Sequence, residues 1–214
     1  MALTLYYHPL SSYCHKALIA LYESGLAFTL QLVDLSDAAQ NAAFKALWPV
    51  RKFPVLKDGD TLIPESTSLI EYLALHYPEA AKLIPLNPEA AFEVRDRDRF
   101  FDLHVHSNMQ KIIGDRIRPA ESKDAFGVTQ ARDALDTALG LADKWMAKQQ
   151  WAAGNAFGMA DCAAAPTLFY TNLVIAPLAG KHDNLAAYLG RMKQRPSYAR
   201  ALKEAEPYLH MVPR

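Results

Sequence analysis

Tyr7-His8-Pro9-Leu10-Ser11-Ser12-Tyr13-Cys14-His15-Lys16 joins two different periodicities. Before it, Leu3, Leu5 and Tyr7 alternate as in a half-buried strand; after it, Cys14, Ala17, Leu18 and Leu21 recur at helical spacing. The stretch therefore reads as a strand-to-helix turn. A helix start offers unpaired backbone N–H groups and the positive end of a dipole to an anion or a thiolate, so chemistry is expected here.

Working outward, the first helix runs from about Ser12 to Glu23 and closes at Ser24-Gly25, where glycine suits a left-handed residue. Ala27 to Val33 alternates again and gives a second strand. A short helix spans roughly Ala38 to Leu47, before Pro49. Two short strands flank Asp58-Gly59, a pair that favours a tight primed turn. Pro64-Glu65-Ser66-Thr67-Ser68 then opens a helix that lasts to Pro78. The strand–helix–strand unit at the front implies a parallel pair with a crossover, and the hairpin adds antiparallel strands.

Residues 79–88 carry two prolines and no sustained period, which marks a linker. Beyond it the pattern is helical, with helices expected near 89–118, 123–149, 158–176, 183–194 and 197–206. The chain thus divides into a mixed α/β unit over 1–78, a linker over 79–88 and an all-helical unit over 89–214.

Composition narrows the function. Of 214 residues, 51% are apolar, enough for a sizeable core, and 23 basic residues balance 23 acidic ones. No net field draws nucleic acid or an anionic membrane. The two cysteines, Cys14 and Cys162, are far apart, so neither a disulfide framework nor a metal-type pair is expected, and reduced thiols in a cytoplasmic setting are. The N-terminus enters directly into the strand pattern, without the basic and apolar regions of a signal peptide. The apolar run from Cys162 to Gly180 contains Pro166, Asn172 and Pro177 and reads as a buried core helix rather than a membrane span. His104 and His106 stand about 200° apart on a helix and cannot share a metal from one face; no metal is expected.

Three separated pieces, Ser11-Ser12-Tyr13-Cys14, Lys52-Phe53-Pro54-Val55-Leu56 and Glu65-Ser66-Thr67-Ser68-Leu69-Ile70, in this order before a helical second half, resemble the glutathione transferases over nearly the whole chain. The resemblance implies a thioredoxin-like first domain that binds glutathione as co-substrate, an all-helical second domain that shapes an electrophile pocket, a twofold homodimer and a role in detoxification. Glutathione presents a γ-glutamyl carboxylate and ammonium, a thiol and a glycyl carboxylate, and each needs its own partner. Ser66, with the free N–H groups of a helix start, suits the γ-glutamyl carboxylate, and Glu65 suits the ammonium; the plain alternative is a helix cap. The resemblance places a cis peptide bond at Phe53-Pro54, where the backbone would pair with the cysteinyl part like an added strand. Lys52 suits the glycyl carboxylate or is a solvated surface lysine.

Ser11 matches the family's catalytic serine, donating to the thiolate without ionising, with Ser12 as the near alternative and a plain capping role open to either. Tyr6 or Tyr7 is a third choice, since other family members use a strand-end tyrosine. The stretch also resembles the Cys-Pro-Tyr-Cys of glutaredoxins with its attacking cysteine replaced, which leaves Cys14 as a buried thiol. In the second domain, His104 or else His106, with Asn108, Tyr170, Met109 or Arg116, are candidates for the electrophile pocket. Phe157-Gly158-Met159-Ala160-Asp161 resembles the family's capping stretch with Gly158 where Ser or Thr stands. Arg95, Arg97 and Arg99 alternate with Asp96 and Asp98 as on a solvated helix, which by resemblance meets the Ser66–Tyr77 helix of a second copy. Two alternatives keep the fold: a glutathione-dependent isomerase of the maleylacetoacetate type, suggested by the paired serines, and a binding protein without turnover.

Overall fold

The computed structural model describes residues 3–213. β1 (Leu3–Tyr7) leads into α1 (Ser12–Ser24), β2 (Phe28–Leu32), α2 (Ala38–Leu47), β3 (Val55–Asp58), β4 (Thr61–Pro64) and α3 (Ser66–His76). The sheet order is β2-β1-β3-β4, with β1 parallel to β2 and antiparallel to β3. This is the thioredoxin-like arrangement. The alternation in β1 sorts its side chains by face: Leu3 and Leu5 are buried in the main core with α1 and α3, while Tyr6 stacks on Phe44 of α2 at 6.2 Å. Gly25 closes α1 at φ 68°.

The hairpin turns one residue later than expected. Asp58 is paired with Thr61 in the ladder, so the loop is Gly59-Asp60, and only Gly59 has positive φ, at 57°. The reason lies in the Asp58 side chain, which accepts hydrogen bonds from the hydroxyls of Tyr72 at 3.0 Å and Tyr77 at 2.5 Å and holds the residue in the strand.

The second half is all helical: α4 (Pro88–Phe100), α5 (Ser107–Arg116), α6 (Ala125–Met146), α7 (Met159–Val174), α8 (Asp183–Gln194) and α9 (Pro196–Ala205). Two departures matter. Within the stretch expected as linker, Pro78–Leu83 forms a 3₁₀ helix and buries Ala80 and Leu83. The single helix expected over 89–118 is interrupted at Phe101–His106 by a widened π turn, in which the Ser107 N–H reaches the Asp102 carbonyl five residues back. α7, rich in alanine and carrying Pro166 inside it, is the core helix and packs on α1 and α4. Among the described residues no helix is long and apolar enough to cross a membrane.

Gly158 precedes α7, and a Cβ there would lie 3.0 Å from the Leu83 carbonyl oxygen. That contact accounts for glycine at the cap. Asp161 takes over the closure: its Oδ2 accepts from the Gly158 N–H and its Oδ1 from the Ala152 N–H, both at 2.9 Å.

The alternating charges of 95–99 are not all solvated. Asp98 is 0% exposed and lies 2.7 Å from Nζ of Lys16, itself 1% exposed, which also reaches Asp102 and the Thr67 hydroxyl at 2.7 Å. A buried ammonium demands such a set of acceptors, and the set spans α1, α3, α4 and the π turn. One buried ion cluster therefore ties the two halves together.

Candidate active site

Above that cluster lies a cleft of about 380 Å³. Its walls come from three starts of structure, namely Tyr13 of α1, the Lys52-Phe53-Pro54 approach to β3 and the Glu65-Ser66 entry to α3, closed on the far side by Arg99 and Asp102. The sequence thus brings residues 13, 52–54 and 65–66 to one place.

Each wall has a local cause. Ser11 caps α1 at φ −76°, ψ 118°, and its Oγ accepts from the Cys14 N–H at 3.3 Å. Acting as acceptor leaves the Ser11 hydroxyl hydrogen uncommitted. Ser12 is buried, with Oγ 2.5 Å from Nε2 of His106. Neither serine forms the wall of the cleft; both stand beside Tyr13, which does. The Phe53-Pro54 peptide bond is cis, and Phe53 stacks with His8 at 6.0 Å. Lys52 is exposed at the rim.

Glu65 has φ 68° and ψ 123°, and Arg51, next to Lys52, has φ 55°. These are the two non-glycine residues with positive φ among those described, and they sit in the two loops that shape the cleft. Such a conformation costs about 1–3 kcal/mol and persists where surrounding structure enforces it. α3 has no side-chain cap on its first turn, and Ser66 lines the cleft. The free N–H groups of that turn are thereby available to an anion.

The charges at the cleft are mixed: Lys52 and Arg99 against Glu65 and Asp102. Arg99 donates to Asp98 at 2.9 Å, and Asp102 is held by Lys16. This pattern suits an occupant with both carboxylates and an ammonium. Burial first, then the carboxylates of Asp102, Glu65 and Asp98, hold the Tyr13 hydroxyl far above its ordinary pKa, so it acts only as a neutral group.

The other sequence candidates fall elsewhere. Tyr7 is held protonated by burial and by Glu204, and Tyr6 faces α2. Cys14 is fully buried and its thiol is pushed up to about 12 by desolvation, which makes it inert. His104 is exposed and its ring lies 5.5 Å from that of Phe100, and the Asn108 amide donates to the His104 carbonyl at 2.7 Å. Tyr170 is 4% exposed, with its ring 5.8 Å from His15. Met109 is buried, and the Arg116 guanidinium donates to the carbonyls of Val174 and Pro213. None of these lines the cleft. Sequence reasoning considers His106 only for the electrophile pocket and misses Lys16, Asp98 and Asp102, because the partners of all four lie 51 to 94 residues away.

Residues 5–81 match the family description "Glutathione S-transferase, N-terminal domain" and residues 106–196 match "Glutathione S-transferase, C-terminal domain". The chain is 31% identical to glutathione S-transferase 3 of Zea mays over 169 residues, covering 74% of this chain and 73% of that protein. It is 24% identical over 206 residues to the stringent starvation protein A homolog of Histophilus somni, covering 96% and 92%. Among solved structures, a glutathione S-transferase from Methylobacillus flagellatus with glutathione bound superposes with a TM-score of 0.86 at 25% identity, over 94% of this chain and 98% of that one. A theta class enzyme from Xanthomonas axonopodis pv. citri, also with glutathione bound, gives 0.78 at 26% identity over 94% and 96%. Two domains in the family's order, a cleft at their junction and a relative above 30% identity lead to one conclusion: the chain belongs to the glutathione S-transferase family.

Proposed function

We propose that this protein is a glutathione transferase, binding glutathione in the cleft and stabilising its thiolate with Ser11 for attack on an electrophilic carbon. The observation that carries this reading is Glu65: a strained residue at an uncapped helix start, in the wall of a cleft with charges of both signs. The γ-glutamyl carboxylate supplies the cap that α3 lacks, on the first-turn N–H groups and the Ser66 hydroxyl. Glu65 takes the ammonium, the Phe53 backbone pairs with the cysteinyl unit, and Lys52 meets the glycyl carboxylate. The two related structures with glutathione bound support glutathione as the ligand.

A free thiol titrates near 8.5, so about 3% is thiolate at pH 7; lowering the pKa by about two units raises that to about 75%. The Ser11 hydroxyl, donating at the positive end of α1, supplies that stabilisation. The sulfur lone pair then forms the S–C bond while the leaving group departs with its electron pair, and proximity supplies the rest of the rate.

The reading includes a homodimer and a cytoplasmic setting, for which the two free, buried cysteines are suited. A groove of about 660 Å³ runs between α3 and the α4 entry, and Leu75, Leu86 and Phe92 are 79%, 97% and 68% exposed on these elements. A second copy of the chain covers that surface.

The likeness over 96% of the chain to a protein named stringent starvation protein A homolog supports a second reading, a protein of this fold without turnover. Calorimetric titration with glutathione, followed by assay with an activated aryl chloride, separates them. Binding that weakens at least tenfold in Ser66→Ala, together with conjugate formation, supports the transferase. Absence of conjugate across a panel of electrophiles selects the second reading.

A further inference from the structure

His106 lies 1% exposed at the end of the π turn, in the helical half of the chain. Its Nε2 is 2.5 Å from Ser12 Oγ, 94 residues away, and its ring centroid is 4.1 Å from that of Tyr13. Its Nδ1 is buried and has no hydrogen-bond partner among the described residues. Burial first, and then the Lys16 cation, keep the ring neutral, with a pKa lowered to about 4. Lys16 is itself paired with Asp98 of α4 and Asp102 of the π turn.

A neutral imidazole carries one N–H. Placed on Nδ1, it is an orphaned buried donor, the rarer and costlier defect; placed on Nε2, it leaves only a bare acceptor at Nδ1. The second tautomer therefore holds, and His106 donates to Ser12 Oγ. Ser12 then stands as Ser11 does beside it: each oxygen has accepted a fixed donor, and each hydroxyl hydrogen is free. The π turn carries the ring that reaches across to α1.

We propose that His106 is a positioning residue for thiol activation, holding the Ser12 hydroxyl so that its hydrogen joins that of Ser11 in donating to the glutathione thiolate. This rests on the transferase reading above. It makes thiol activation depend on both halves of the chain, through one hydrogen bond.

The test follows the bound-thiol pKa by ultraviolet thiolate absorbance, with kcat and KM measured alongside. His106→Phe keeps a ring against Tyr13 and removes the donor. It is expected to raise the bound-thiol pKa by about one unit and lower kcat about tenfold at pH 6.5, with KM for glutathione within about twofold. His106→Gln restores an N–H donor and recovers at least about half of the shift. Ser12→Ala reproduces His106→Phe, and the double variant is no worse than either. If His106→Phe does not fold, Ser12→Ala decides alone: an unchanged thiol pKa overturns the proposal. A His106→Phe protein that is less stable yet keeps the wild-type thiol pKa has lost only packing and also overturns it. Wild type that fails to lower the thiol pKa sinks the transferase reading and this inference together, whereas a lowered pKa in wild type left untouched by both variants sinks this inference alone.

Discussion

At the start of α7 the Asp161 carboxylate, 0% exposed, accepts from the Gly158 and Ala152 N–H groups and from the Tyr188 hydroxyl, tying the helix entry to the preceding loop and to α8. At the start of α1 the Ser11 hydroxyl accepts from the Cys14 N–H and keeps its hydrogen in reserve, Ser12 is paired with His106, and the start of α3 has no side-chain cap. α7 lies in the core between α1, α4 and α8; the starts of α1 and α3 adjoin the cleft. The Asp161 carboxylate is spent on the fold, whereas the Ser11 hydroxyl hydrogen and the first-turn N–H groups of α3 are left for a ligand. Burial lifts the Asp161 pKa to about 6, against the pull of its three hydrogen bonds.

If that division is right, substitutions at the two kinds of start separate stability from binding. Asp161→Ala strands three donors and is expected to lose about 3–5 kcal/mol in denaturant unfolding, while the folded fraction binds glutathione with unchanged affinity. Lys16→Met, beneath the cleft, is expected to lose a similar amount, about 3–5 kcal/mol, by leaving the buried Asp98 with only the half-exposed Arg99 as its cation. Here glutathione affinity falls as well, because Thr67 and Asp102 form the cleft wall; unchanged affinity would separate the ion cluster from the site. A smaller effect concerns pH. The folded pKa of His106, about 4, lies below its ordinary 6.5, so between these values the unfolded chain binds one more proton and stability declines as pH falls. His106→Gln removes this group's share of the slope, up to about 1.4 kcal/mol per pH unit, and leaves that of His15, which burial also lowers to about 4, as read from unfolding midpoints at pH 4.5 and 6.5. Gly158→Ser adds the missing cap but drives its Cβ toward the Leu83 carbonyl; a net loss of about 1 kcal/mol is expected, and a gain would show that the 3₁₀ helix yields. Ser11→Ala removes a long cap bond and costs only about 0.5 kcal/mol of stability.

How much of this was legible in the sequence follows the range of the interactions. Local rules place β1, α1 and α2 within about a residue, because periodicity and the Gly25 stop act over a few positions. The three motif pieces meet at the cleft, which no spacing in the sequence reveals; from the first piece it is Tyr13 that forms the wall, with Ser11 and Ser12 next to it in the chain. The hairpin slipped by one residue because Asp58 answers to Tyr72 and Tyr77, not to its own turn. Asp98 looks like one charge in a solvated run until Lys16, 82 positions earlier, arrives beneath it. The π turn and the bond from His106 to Ser12 are of the same kind: an uninterrupted helical pattern over 89–118 gives no sign of either. For His104, Asn108 and Tyr170 the sequence gives an element but no face; in the folded helices His104 is exposed, Asn108 donates to the His104 carbonyl and Tyr170 is buried.

The most direct test of the central claim is the thiol pKa of bound glutathione, measured by thiolate absorbance in wild type and Ser11→Ala at saturating protein. Wild type is expected to hold that pKa at least about one unit below 8.5, and Ser11→Ala to bind glutathione with similar affinity while losing most of the shift. A Ser11→Ala protein whose bound thiol titrates as in wild type would contradict the assignment of Ser11. A wild-type protein that leaves the thiol near 8.5 would contradict the account of thiolate activation altogether.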